Sequence, residues 1–251
     1  MTKRVAVVGA SGTMGTLITR LIEESDDFQL VAGIGSADEL SAIRAAELVV
    51  DVTRLDVSER VVDFAVANGL SVLVGTSGWS ADRIEALSAR ITGSPAAGVL
   101  IVPNFSIASV LATSFAAQAA PYFDSIEIVE AHHAGKVDSP SGTAVRTAER
   151  IGAVRAELGP VATPHADQRA RGQLVAGIPV HSLRMNGIVA KQDVIFGGPG
   201  EVLTLTHDTV SSAAYQQGIM LALRALPGIR GVSVGLDALL GLGPTAPAAA
   251  G

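Results

Sequence analysis

The chain contains no cysteine, which excludes disulfides and thiolate metal sites and fits a reducing cytosol. Charge is sparse, at 17% Asp, Glu, Lys and Arg, and the balance is acidic, with a formal net charge of −6. That balance argues against nucleic acid or an anionic membrane surface as a partner, because both require concentrated positive charge. Long apolar runs are missing too. No stretch reaches the ~18 uninterrupted apolar residues of a membrane span. The opening "MTKRVAVVGASG" resembles a signal peptide only until Gly-Ala-Ser-Gly breaks it. Aromatics make up 4% of the residues. What remains is a chain that is 48% hydrophobic, dominated by Ala, Val, Leu and Ile, with 27 glycines among 251 residues. Such a composition suits buried parallel strands flanked by alanine-rich helices, and the length suffices for one large or two modest domains.

The order of segments sharpens that reading. Up to "GVLIVP", short apolar runs alternate with polar-faced helical segments, the pattern of a Rossmann-like, doubly wound parallel sheet in an α/β protein. After "PNFS" the rhythm changes to a long alanine-rich helix, a strand "SIEIVEAHH" and the helix "GTAVRTAERIGAVRAEL". A Gly/Pro-rich loop over 159–177 precedes "IPVHSLRM", "IVAKQDVIFG" and "EVLTLTHDTV", which alternate apolar and polar positions as antiparallel strands do. The expected organisation is a dinucleotide-binding domain over 1–104, completed by a C-terminal helix over 212–242. A second α+β domain with a mixed or antiparallel sheet occupies 105–211, and 243–251 forms a tail.

Two stretches carry chemistry. "VVGASGTMG" sets Gly9, Gly12 and Gly15 between an apolar strand and a helix, with Ala10, Ser11, Thr13 and Met14 between them. Glycine there permits the tight turn, the approach of backbone to a pyrophosphate, and close packing of helix on strand, while the helix N-terminus faces the anion. The second strand ends at Gly35 and Ser36, with Asp38 and Glu39 further on, so the acid that selects NAD is missing from its usual place. Ser36 does not repel a phosphate, and Arg54 is placed to approach the adenine side. NADPH or NADH, with dual use, is the expected cofactor.

The second stretch is "EAHHAGKVDSPSGTA", residues 130 to 144. His132 and His133 end a strand, Lys136 follows, and Ser139 or Ser141 with Pro140 can start a helix whose N–H groups at Gly142 and Thr143 meet an anion. Imidazole, ammonium and a helix N-terminus together make a receptor for a carboxylate, and for a small dianionic dicarboxylate better still. Consecutive imidazoles rarely share one metal and the other histidines are scattered, so no metal site is expected. The absence of a G-x-S-x-G elbow argues against a serine hydrolase.

Taken together, "VVGASGTMG", "VVDVT", "VGTSGW", "PNFSI", "EAHHAGKVDSPSGTA", "GIPVHSLR" and "EVLTLTHD" resemble the dihydrodipicolinate reductase family over nearly the whole chain. The resemblance implies hydride transfer from NADH or NADPH to a cyclic imine dicarboxylate, with loss of water, in the diaminopimelate branch of lysine biosynthesis. It implies catalytic roles for His132, as general acid, and Lys136. His133, Gly142 and Thr143 are implied as substrate-binding. Gly9 to Gly15 are implied at the pyrophosphate, with Thr53 near the cofactor and Gly75, Thr76, Asn104 and Phe105 bordering the nicotinamide; a homotetramer is implied as well. The chain departs from the family's common pattern at Ser11 and Thr13, where Lys or Arg is frequent, at Val52, where Phe is usual, and at Ala134 and Gly135. Two other readings stay open on the residues: a non-catalytic NAD(P)-sensing protein, and another imine or amino-acid dehydrogenase of similar build.

Overall fold

A computed structural model describes residues 2–91 and 97–242. From the N-terminus the chain forms β1 (Lys3–Val8), α1 (Thr13–Glu23), β2 (Phe28–Ile34), β3 (Leu48–Asp51), α2 (Leu55–Ala67), β4 (Ser71–Val74), α3 (Ala81–Ile91) and β5 (Gly98–Ile101). It continues through α4 (Ile107–Ala119), β6 (Ser125–His132), α5 (Gly142–Val154), β7 (Gln173–Val175), β8 (Ile178–Arg184), β9 (Ala190–Gly198) and β10 (Glu201–Thr209). α6 (Gln216–Ala225) and β11 (Gly231–Val234) close it. Two compact units result: one runs to Ser106 and takes back Tyr215–Gly241, and the other runs from Ile107 to Ala214. The expected tail at 243–251 lies outside the described residues.

The first unit is the Rossmann-like sheet foreseen from the strand–helix alternation, six parallel strands in the order β11-β5-β4-β3-β1-β2. β3, β4 and β5 are buried at every position, as strands covered on both faces must be. In α1 the residues Leu17, Ile18 and Ile22 recur at helical spacing and are buried, each contributing ~1.5–3 kcal/mol by leaving water. The chain leaves β1 toward β2 on one side and returns to β3 on the other. The carboxyl ends of β1 and β3 therefore flank the topological switch point, where doubly wound sheets bind ligands.

The second unit carries a five-stranded sheet in the order β10-β9-β6-β8-β7. Ile126, Ile128, Ile178, Val180, Val194 and Phe196 point from it into a core shared with Ala144, Ala148 and Ile151 of α5. Three expectations need correction. β8 is not antiparallel to its neighbour β6 but parallel, because α5 carries the chain over between them as a crossover. The stretch expected as loop holds β7, paired to β8 across a tight turn with positive φ at Ala176 (49°) and Gly177 (82°); three residues are too few to show alternation. The C-terminal segment is not one helix: Leu226-Pro227-Gly228 ends the helical run, and "GVSV" joins the first sheet as β11 beside β5.

Candidate active site

The glycine loop lies at the carboxyl end of β1. Gly9 has φ +86°, and a Cβ there would stand 2.6 Å from the Val52 carbonyl oxygen. At Gly15 a Cβ would stand 2.0 Å from the Gly9 carbonyl oxygen. Packing alone demands glycine at these two. It makes no such demand at Gly12, where the nearest atom to a Cβ is the Gly9 oxygen at 3.4 Å. Gly12 is exposed, as are Ser11 and Thr13 beside it, and Ala10 and Met14 are partly buried. Gly12 is also the N-cap of α1, whose first turn holds no acid and receives no side-chain cap. A bare backbone and an uncapped helix start fit a pyrophosphate.

The tip of β2 differs from its sequence reading. Ser36 is exposed, but Asp38 folds back so that its Oδ2 accepts the Gly35 N–H at 2.8 Å. A Cβ on Gly35 would have that carboxylate oxygen at 3.8 Å and the Ser11 hydroxyl at 3.9 Å. An acid thus stands at the strand tip after all, carried there by a local turn that strand-end spacing does not reveal.

Asp51, the last residue of β3, organises the neighbouring loops and was not singled out from sequence. It is fully buried and accepts hydroxyl bonds from Thr53 at 2.5 Å, from Thr76 at 2.7 Å and from Ser58. Thr76 in turn accepts the Thr53 N–H at 2.9 Å. Thr53 and Thr76 are therefore brought together, with their hydroxyls turned toward Asp51. A buried carboxylate needs such partners; an acid ending an apolar strand was the available signal. Gly75 is held close to Phe105, since a Cβ on it would meet that ring at 2.8 Å. Asn104 Oδ1 accepts the Ser106 N–H at 2.8 Å. Arg54 stands apart, its side chain 82% exposed and 3.8 Å from Asp56.

In the second unit the stretch over 130–144 is built around the end of β6. Glu130 and His132 are two residues apart on a strand and so share a face. Glu130 is fully buried, and its Oε2 lies 2.6 Å from His132 Nδ1. Arg184, opposite His132 in the β6–β8 register, grips both carboxylate oxygens at 2.9 and 2.8 Å. The Ser141 N–H donates to Glu130 Oε1 at 3.1 Å. Ser141 is the N-cap of α5, its hydroxyl accepting from the Ala144 N–H. Lys136 Nζ meets Asp138 at 2.7 Å. Gly142 and Thr143 form the first turn of α5, and a Cβ on Gly142 would meet nothing within 4 Å. His133 is exposed, in the turn closed by Lys136 N–H to the His133 carbonyl at 3.1 Å.

Electrostatics follow from this packing. Burial acts to raise the Glu130 pKa, but bonds from Arg184, Ser182 and His132 outweigh it and hold the carboxyl below its ordinary value. Burial is the main cause that lowers the His132 pKa; Glu130 opposes it, and Lys136 and Arg184 add to the lowering. Burial thus leaves His132 less easily protonated than an exposed imidazole, although Glu130 beside it favours the charged form. Asp138 is lowered as well, the Lys136 bond prevailing over burial.

A glycine loop at the carboxyl end of β1 on a Rossmann-like sheet, carried by a chain that also gathers His132, Lys136 and Arg184 around Glu130 and Asp138 on a second sheet, fits a pyridine-nucleotide-dependent oxidoreductase. Comparison with known proteins narrows the class. Residues 3–105 match the model of the dihydrodipicolinate reductase N-terminus, and residues 108–240 that of its C-terminus. The 4-hydroxy-tetrahydrodipicolinate reductase of Clavibacter michiganensis subsp. michiganensis is 63% identical over 242 residues, covering 96% of this chain and 87% of the relative. Its counterpart in Streptomyces griseus subsp. griseus is 44% identical, covering 95% and 98%. The dipicolinate-bound dihydrodipicolinate reductase from Paenisporosarcina sp. TG-14 superposes with a TM-score of 0.80 at 28% identity, covering 95% and 99%. The chain belongs to the dihydrodipicolinate reductase family.

Proposed function

We propose that the protein is a 4-hydroxy-tetrahydrodipicolinate reductase, reducing a cyclic imine dicarboxylate to tetrahydrodipicolinate in the diaminopimelate branch of lysine biosynthesis. One hydride and one proton enter the substrate and one water leaves. The observation that carries the reading is near-full-length identity of 63% to a protein of that name, in a chain that has His132, His133 and Lys136 in one stretch. Gly9 to Gly15 would hold the nucleotide, which when bound would supply the hydride. The chain's own residues do the rest. Gly142 and Thr143 at the start of α5 take one substrate carboxylate through backbone N–H groups, and His133 and Lys136 hold the remaining negative charge. His132, with Nδ1 engaged by Glu130, delivers the proton from Nε2. Two carboxylates bound nearby raise its proton affinity against the lowering imposed by burial. Thr53, Gly75, Thr76, Asn104 and Phe105 border the nicotinamide, and Arg54 and Ser36 lie toward the adenosine.

The residues over 1–104 with the 212–242 segment serve as the nucleotide domain, and 105–211 as the substrate and assembly domain of a cytoplasmic homotetramer. The dicarboxylate reading is supported by the dipicolinate held in the Paenisporosarcina relative. Among the described residues no helix is long and apolar enough to cross a membrane.

Both NADH and NADPH serve as reductant, with Asp38 weighting the choice toward NADH, since its carboxylate would face a 2′-phosphate with like charge. Asp38→Asn should raise the NADPH-to-NADH ratio of kcat/KM by about tenfold, the equivalent of ~1.4 kcal/mol; an unchanged ratio removes Asp38 from selection. The reaction itself is tested by steady-state oxidation of NADH and NADPH in parallel on freshly generated 4-hydroxy-tetrahydrodipicolinate. Nucleotide binding without turnover would point instead to a sensing protein.

A further inference from the structure

The Proposed function uses His132 but leaves unexplained why a fully buried acid and an arginine from another strand converge on it. A carboxylate removed from water is costly unless each oxygen is bonded. Glu130 meets that requirement completely: His132 Nδ1 and Arg184 Nη1 meet Oε2 at 2.6 and 2.9 Å, while Arg184 Nη2 and the Ser141 N–H meet Oε1 at 2.8 and 3.1 Å. Three separate parts of the unit are thereby tied to one side chain: the end of β6, the end of β8 and the N-cap of α5. Arg184 adds a fourth, donating to the Asp138 carbonyl at 2.6 Å in the loop that carries Lys136.

Resting on the reading of His132 as proton donor, we propose that Glu130 and Arg184 are a positioning pair that locks the His132 ring against the carboxylate-binding first turn of α5. Neither touches the reacting atoms. Glu130, as an ionised acceptor, requires the proton of the neutral imidazole to reside on Nδ1, which leaves Nε2 as the nitrogen that exchanges protons. Arg184 neutralises most of the carboxylate's charge, so that Glu130 orients the ring without making the imidazolium too stable to give its proton up.

The groups facing His132 are few. Glu130 lies on its own strand, Arg184 on β8, and Lys136 and Asp138 in the following loop. On β9, Ala190 stands opposite His132 and Gln192 opposite Glu130; Lys191 alternates to the other face, 3.1 Å from Asp193. The packed face of α5, Ala144, Thr147, Ala148 and Ile151, is uncharged.

The test is the pH dependence of kcat/KM in full-length protein. An acid catalyst loses activity as pH rises through its pKa. Glu130→Gln removes the charge that favours imidazolium and should move that limb down by about one pH unit. Arg184→Met removes a charge that disfavours it and should move the limb up. Turnover should fall by about 10–100-fold in each. A scaffold role alone lowers rates without moving limbs in opposite directions, so unmoved limbs or shifts of one sign overturn the proposal. A second measurement needs no variant: ¹⁵N NMR of the wild-type His132 ring should show Nδ1–H in its neutral form, and an Nε2–H tautomer also overturns it. A wild type inactive on the imine would refute the assigned reaction, and the ¹⁵N measurement would then still decide whether Glu130 fixes the His132 tautomer.

Discussion

Replacing His132 by Gln should cut turnover by ~10²–10⁴-fold, the usual worth of a positioned proton donor, while the affinity for NADH stays within twofold of wild type. The contrast is the substance of the prediction. His132 lies on β6 of the second unit, whereas the glycine loop lies in the first, so a loss confined to the chemical step separates proton delivery from nucleotide capture. Gln is close to the imidazole in length and can keep a hydrogen bond to Glu130 Oε2, now 2.6 Å from Nδ1, but its amide does not titrate. The carboxylate therefore keeps a partner, and the fold is not asked to bury an orphaned charge. Stopped-flow hydride transfer alongside fluorescence titration of NADH would read both quantities. Retention of wild-type turnover would mean that the proton comes from elsewhere, Lys136 being the next cation along the chain.

Gly15→Ala should strike the first unit as hard, by a different route. The added Cβ would lie 2.0 Å from the Gly9 oxygen, 2.7 Å from Ala10 Cα and 2.8 Å from the Ala10 carbonyl carbon. All three are backbone atoms of the turn itself, so no rotamer change relieves the contact. Alanine in a helix is favoured over glycine by about 1 kcal/mol, and the steric cost of overpacking, ~1–3 kcal/mol or more, outweighs it at such distances. The midpoint of thermal unfolding should drop by about 5 °C or more, with NADH binding weakened at least tenfold as the turn is pushed open. Gly12→Ala supplies the control: with only the Gly9 oxygen at 3.4 Å, its thermal midpoint should match wild type while nucleotide affinity falls. Equal midpoints for both variants would show that α1 does not pack on the turn as described.

The two stretches differ in how much of them could be read in advance. The glycine loop is local: strand, turn and helix follow one another, and each glycine answers to atoms within a few residues or in the adjacent strand. The need for glycine at Gly9 and Gly15 was legible because the physics is short-range. The tip of β2 shows the limit of that approach, since Asp38 reaches Gly35 through a turn whose course depends on backbone angles rather than residue spacing. In the stretch over 130–144, the identities of His132, Lys136 and the α5 cap were legible, and Glu130 was within reach of a period-two argument. Arg184 was not, because it is 54 residues from Glu130 and meets it only through the β6–β8 register.

By itself the sequence determined the alternating α/β half, the glycine cradle, the cationic stretch at the end of β6 and, through its motifs, the family. These depend on periodicity and on neighbours along the chain. Only the tertiary structure decided that β8 runs parallel to β6, that β11 completes the first sheet, and that Glu130 is shared among His132, Arg184 and the start of α5. Such outcomes turn on which strands pair and in what register, and that choice is made by burial of whole faces rather than by any one segment's pattern.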